Sequence, residues 1–299
     1  MKIEFMYSPA YDLMYHILAH MEVNNASNLY SEEYINQIKQ AKAGQFADLT
    51  AELAPLTAYY NENFDRLAMI NFLPFYCSDV NALIHTLTHF EGFTAEDKEV
   101  FILPLIEIMK AENIFYEPYR MQLHGHTAAS RAKLESYLSA NLTKYRKLFV
   151  YWKKEHAIVG MSYSMHCNGR GFGSPQASAF SAIVPLVNDE NHYETTFLQI
   201  LHEYTHQFTD ALLQQNIRMD DGSHFLSEQM VILFDYYLIK ELCPEDVSAY
   251  FRYLSPEVET GGPIMTEDIL FQIFGVPEHL NRMLTDLVNK ISEVTYEHT

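Results

Sequence analysis

Apolar residues recur at helical spacing over most of this chain and crowd into strand-like runs in only a few places. Residues 2–7 predict a short first strand, and Pro9 opens a helix to about residue 21, with Tyr11, Met14, Tyr15 and Leu18 on one face. A loop over 24–28 is followed by helical segments over 31–44, 46–71, 78–90, 94–110 and 128–140. Pro104 predicts a kink or break in the fourth of these. The texture changes near Lys147, where Leu148 to Trp152 reads as a buried strand and residues 157–164 and 176–185 read as two more. Between them Gly169, Gly171 and Gly173 have a GxGxG spacing without the strand–turn–helix context of a nucleotide loop, so the stretch reads as a flexible connection or hairpin. Helices are predicted over 193–215, 223–240, 245–254, 266–274 and 277–294. No internal repeat or low-complexity segment appears. The pattern implies a helix-rich α+β fold, with a mostly helical region over 1–145 and a small sheet plus two long helices over 146–299.

The two long helices carry the chemistry. His202-Glu203-Tyr204-Thr205-His206 is an HExxH motif. Its histidines are four residues apart, about 40° of rotation and about 6 Å of rise, so both imidazoles leave one face and can share a metal ion. Phe197, Ile200, Leu201, Tyr204, Phe208, Ala211 and Leu212 form the apolar face, and His202, Glu203, His206 and Asp210 lie opposite. Glu203 is placed to reach a water on the metal rather than the metal itself. In the next helix, opened by the turn Asp220-Asp221-Gly222 with Ser223 as N-cap, Leu226, Met230, Leu233, Phe234 and Tyr237 make the apolar side. His224, Glu228 and Asp235 share the other side. The spacing itself is cheap in a chain with 14 histidines: His16/His20 and His85/His89 repeat it without a following glutamate or an obvious third ligand, and read as ordinary helix faces.

The stretch from His202 to Asp210, with Thr205 before the second histidine and Thr209-Asp210 after it, resembles the active-site helix of thermolysin-like zinc peptidases. These belong to the gluzincins, and the resemblance covers about residues 178–240. It implies a zincin-like catalytic region with one zinc ion held by His202, His206 and a glutamate on the next helix, matched by Glu228, 22 residues after His206. It also implies Glu203 as general base and hydrolysis of peptide bonds. The aspartate that follows the ligand glutamate by four residues in that group is Ile232 here, leaving Asp235 or Asp210 to orient a ligand histidine, and His224 as a rival third ligand. The family's strand before the active-site helix is a sheet edge that holds an extended substrate, which places Ser178, Ala179 and Phe180 there and makes a peptide substrate natural. The family also draws a residue that steadies the oxyanion from its C-terminal half. Tyr236, Tyr237, Tyr250, Tyr253 and His279 are the candidates, and nothing in the sequence selects among them.

Composition narrows the field. Net charge is −19 and no basic run exceeds Lys144-Tyr145-Arg146-Lys147, which argues against nucleic-acid binding. Cys77, Cys167 and Cys243 are few, odd in number and far apart, suiting a reducing compartment rather than a disulfide framework. The N-terminus shows no signal-peptide pattern and no run of 18 apolar residues occurs, so a cytoplasmic protein without a membrane span is expected. Three functional readings stay open: a zinc metallopeptidase, a zinc hydrolase acting on a small amide, and a degenerate zincin-like binding protein in which a fourth ligand such as His224 closes the site. The ligand set does not by itself select zinc over manganese, iron or nickel. Substrate preference and oligomeric state are not legible.

Overall fold

The computed structural model describes residues 1–21, 23, 32–166, 169–172, 178–216, 223–255 and 265–295; the side chains of 215–216 and 223–224 lie outside that description. The expected loops over 24–28 and 256–263, the turn at 220–222, Cys167 and the side chain of His224 therefore lie outside the described residues.

The chain is helix-rich with one small mixed sheet. Strands β1 (Lys2–Met6), β2 (His156–Ser162) and β4 (Ala179–Pro185) run parallel, and β3 (Arg170–Phe172) closes the order β1-β2-β4-β3 as an antiparallel edge. The central strands read as near-continuous apolar runs because both faces of the sheet are covered. Ala157, Val159, Met161, Phe180, Ala182 and Val184 alternate onto one face and enter a core built with the C-terminal helices. Ile183 points the other way, into a core built with the N-terminal helices.

Helix α1 (Pro9–Ala19) starts where Ser8 Oγ accepts the Ala10 N–H and Pro9 presets the first turn. It is buried on every side, between the sheet and helices α2 (Glu32–Lys42), α3 (Leu49–Glu62), α5 (Val80–His89) and α7 (Leu103–His126). The expected helix over 46–71 is α3, a short α4 (Phe64–Leu67) and 3₁₀ turns through Tyr76. Thr94 and Asp97 form a capping box for α6 (Ala95–Asp97), and a π-helical turn over Lys98–Ile102 leads into α7. Pro104 sits in the first turn of α7, where its missing N–H costs nothing, so the break falls just before it.

The boundary near residue 145 does not separate the two cores. β1 lies in the shared sheet, and α8 (Ala128–Lys144) sends Leu134, Leu138 and Leu142 into the C-terminal core. The expected strand at Leu148 to Trp152 is wrong: Arg146–Tyr151 is helix α9, with Leu148 and Phe149 fully buried. Short apolar runs satisfy a strand and a buried helical turn equally, and here Leu142, Tyr145, Leu148 and Phe149 continue the buried face of α8.

Helices α10 (Tyr193–Asn216) and α11 (Ser223–Leu242) pack against each other under this sheet, with α12 (Val247–Leu254), α13 (Glu267–Phe274) and α14 (Glu278–Ser292) completing the C-terminal layer. Tyr204, fully buried, donates its hydroxyl to Ile158 O at 3.0 Å and pins α10 to β2. Phe197, Ile200, Leu201 and Phe208 bury the same face of α10. No helix among the described residues is long and apolar enough to cross a membrane.

Candidate metal centre

The apolar face of α10 fixes its rotation, and that rotation turns His202, Glu203 and His206 away from the core toward α11 and β3. The Nε2 atoms of His202 and His206 lie 3.1 Å apart. Glu228 on α11 brings Oε2 to 3.5 Å from His202 Nε2 and Oε1 to 3.6 Å from His206 Nε2. Ligands at about 2.0–2.1 Å from a tetrahedral zinc ion stand about 3.3 Å from one another, so the three side chains match the ion's size and its preference for nitrogen and oxygen donors. Among the described residues this trio is the group of three side chains placed so that they could hold a metal ion.

A buried network orients it. Asp235, 1% exposed and seven residues after Glu228, places Oδ2 2.9 Å from His202 Nδ1 and takes the Thr205 hydroxyl on Oδ1 at 2.5 Å. With Nδ1–H donated to Asp235, it is Nε2 of His202 that faces Glu228 and His206, and that a metal would take in place of a proton. Burial opposes charge on His202, but the hydrogen bonds it donates to Asp235 and Glu228 outweigh it and push its pKa up to about 10. Asp210 is less engaged: it stands 3.9 Å from His206 Nδ1 and accepts the Ser227 hydroxyl. Burial raises its carboxyl, and the larger pull of His206 and Ser227 leaves it below the ordinary range. Of the two aspartates open in the sequence, Asp235 stands within hydrogen-bond distance of His202, and Asp210 makes the longer approach to His206. Ile232 uses its backbone instead, its carbonyl accepting the Tyr250 hydroxyl at 2.9 Å.

Glu203 turns to the sheet. One of its carboxylate oxygens, Oε2, accepts the backbone N–H of Gly171 on β3. Gln207, one turn on, donates to Phe172 O at 3.4 Å. The strand beside the centre is thus β3. β4 has β2 on one side, where Ala179 and Phe180 pair with His156 and Ala157, and β3 on the other, where Ser181, Ala182 and Ile183 pair with Phe172, Gly171 and Arg170; Ser178 O accepts the Glu155 N–H, and Phe180 is fully buried. The intervening loop returns as a further strand, an event that strand propensity over 176–185 does not encode.

The oxyanion candidates separate. Tyr237 commits its hydroxyl to Asn281 at 2.7 Å, Tyr236 packs against Phe251 with Lys240 over its ring, and His279 is exposed on α14. Tyr253, at the end of α12, has its hydroxyl pushed up by burial and by the carboxylates of Asp235, Glu203 and Glu228. It stands in the field of the site.

Among the described residues neither of the other histidine pairs belongs to a group of three side chains that could hold a metal ion. His16 bonds Tyr34 at 2.7 Å and Glu112 at 2.8 Å, His20 donates to His16 O, and His85 stacks on His89 with ring centroids 4.2 Å apart. The GxGxG spacing read in the sequence as a flexible connection or hairpin puts Gly169 and Gly171 beside Glu203, a close approach that glycines two apart next to a strand pattern can signal. No protein-family model, curated protein or solved structure matches this chain.

Proposed function

We propose that the chain is a zinc-dependent metallopeptidase of the gluzincin type, with the ion held by His202, His206 and Glu228. The observation that carries this reading is the convergence of the Nε2 atoms of His202 and His206, 3.1 Å apart, with the two carboxylate oxygens of Glu228 at 3.5 and 3.6 Å from them, His202 being oriented from behind by Asp235. Three protein ligands leave a fourth position, the arrangement of a catalytic rather than a structural zinc. A bound zinc ion would supply Lewis acidity to a scissile carbonyl and lower the pKa of water at that position.

The chain's own residues do the rest. Asp235 holds the Nδ1 proton of His202, so Nε2 remains a donor atom to the metal. Glu203 accepts the proton of the attacking water on its carboxylate and delivers it to the leaving amine. Tyr253 donates its hydroxyl to the oxyanion that develops on the carbonyl. An extended peptide lies along the free edge of β3, the strand that Glu203 and Gln207 already touch. The acidic surface favours neutral or basic peptides over acidic ones.

The test is elemental analysis of the purified, untagged protein, with peptide hydrolysis read by mass spectrometry. About one zinc per chain is expected, lost in His206→Ala and kept in Glu203→Gln, which abolishes hydrolysis. A Glu203→Gln protein that holds zinc and hydrolyses peptides at the full rate sinks the mechanism. A protein that takes up no metal even from added zinc sinks the site.

A further inference from the structure

Gly171 pairs with Ala182 in the β3–β4 register, yet its N–H goes to Glu203 rather than to β4. In an antiparallel pair alternate residues turn their N–H and C=O groups off the partner strand, so Gly171 presents its amide at the free edge of the sheet. The Glu203 carboxylate has no other hydrogen-bond donor among the described residues.

The glycines make this approach possible. A Cβ on Gly171 would stand 2.6 Å from the backbone oxygen of Glu203 and 3.0 Å from its Oε2. A Cβ on Gly169 would stand 2.9 Å from Ile183 O and 3.3 Å from Glu203 Cγ. Both glycines therefore meet the same residue of α10. Arg170, between them, pairs with Ile183, whose side chain belongs to the N-terminal core on the opposite face. A repeat of two puts both missing side chains on the helix side, which explains the Gly-Arg-Gly spacing. Gln207 donates to Phe172 O one helical turn on, so α10 and β3 are joined at two adjacent points, one of them the Glu203 carboxylate.

We propose that Gly171 is a positioning residue for Glu203: its unpaired edge amide holds one carboxylate oxygen, which aims the other at the reacting water. The inference rests on the reading of Glu203 as the proton acceptor. A carboxylate on a flexible side chain samples several rotamers, and one fixed hydrogen bond at a close-packed strand removes most of them before substrate arrives.

The experiment uses the full-length chain labelled with [¹⁵N]glycine, whose 11 glycines give a spectrum in which the Gly171 amide is readily assigned. Hydrogen exchange of that amide is measured in wild type, Glu203→Ala and Glu203→Gln. Exchange is expected to be about 10- to 100-fold faster in Glu203→Ala, the worth of a hydrogen bond to a charged acceptor, and to stay protected in Glu203→Gln, whose amide oxygen still accepts. In parallel, Gly171→Ala is expected to keep zinc and a KM within about twofold of wild type while kcat falls about 100-fold. Equal exchange in wild type and Glu203→Ala overturns the proposal, and so does full kcat in a folded Gly171→Ala. Should Gly171→Ala fail to fold, the exchange measurement decides alone. A protected Gly171 amide in a protein without hydrolytic activity would remove the metallopeptidase reading and leave the clamp, so the two failures are distinguishable.

Discussion

Asp235 Oδ2 stands 2.9 Å from His202 Nδ1, and the aspartate is 1% exposed. A buried carboxylate this close sets both the tautomer and the ring plane of the histidine. Removing it leaves Nδ1–H without its acceptor and lets the ring turn. Asp235→Ala is expected to weaken zinc binding about 10- to 100-fold, read by competition with a chelator of known affinity. Affinity equal to wild type would show that the contact plays no part in holding the metal.

Burial and the carboxylates of Asp235, Glu203 and Glu228 raise the Tyr253 hydroxyl, whereas of these three carboxylates Asp235 alone acts on Tyr250, whose hydroxyl is committed to Ile232 O. Tyr253→Phe keeps the ring and loses the donor. It is expected to lower kcat about 100-fold with KM and zinc content nearly unchanged, the signature of a contact made in the transition state. Tyr237→Phe, whose hydroxyl is committed to Asn281, serves as the control with unchanged kcat.

Tyr204 sits inside the HExxH motif but faces the core. Its hydroxyl donates to Ile158 O and its ring stacks on Phe180 with centroids 5.3 Å apart. Tyr204→Phe is expected to cost about 1 kcal/mol and Tyr204→Ala about 4 kcal/mol, measured by urea denaturation. A negligible loss in the alanine variant would contradict the packing that fixes the rotation of α10.

Glu112 accepts the Lys42 ammonium at 2.7 Å and bonds His16 at 2.8 Å, all three buried in the N-terminal core. Glu112→Ala leaves the Lys42 charge without a partner, and a loss of about 3–5 kcal/mol is expected in denaturant titrations. The double variant Lys42→Met, Glu112→Leu removes both charges and is expected to be more stable than the single one.

Asp97 is fully buried beside Arg66, which bonds both of its oxygens at 2.9 and 3.1 Å, and it also accepts the Thr94 N–H. The Arg66 guanidinium holds its carboxyl well below the usual range. A carboxyl depressed in the folded chain contributes stability above its unfolded pKa, and that contribution drains away as the pH falls toward the folded value. Asp97→Asn is expected to cost about 2 kcal/mol at pH 7, and the gap to wild type to narrow below about pH 4. A gap that stays constant on acidification would show that charge is not the source.

The HExxH helix, its buried face and the partner helix carrying Glu228 and Asp235 were legible in the sequence because helix formation is local. Every α-helical hydrogen bond joins residues four apart, so the face of His202 and His206 follows from the spacing of Phe197, Ile200, Leu201, Tyr204 and Phe208 alone. The caps at Ser8, Asp79 and Thr94 are local in the same sense. The tertiary structure alone decided which aspartate reaches His202, that residues 146–151 coil rather than extend, and that β3 rather than β4 borders the candidate site. Strand order depends on where separate segments close against one another, and no residue in Ala179–Pro185 records that the preceding segment Arg170–Phe172 lies on its outer side. Gly169 and Gly171 show the limit most clearly: their lack of side chains acquires meaning only when Glu203, more than thirty residues on, arrives in the space a Cβ would fill.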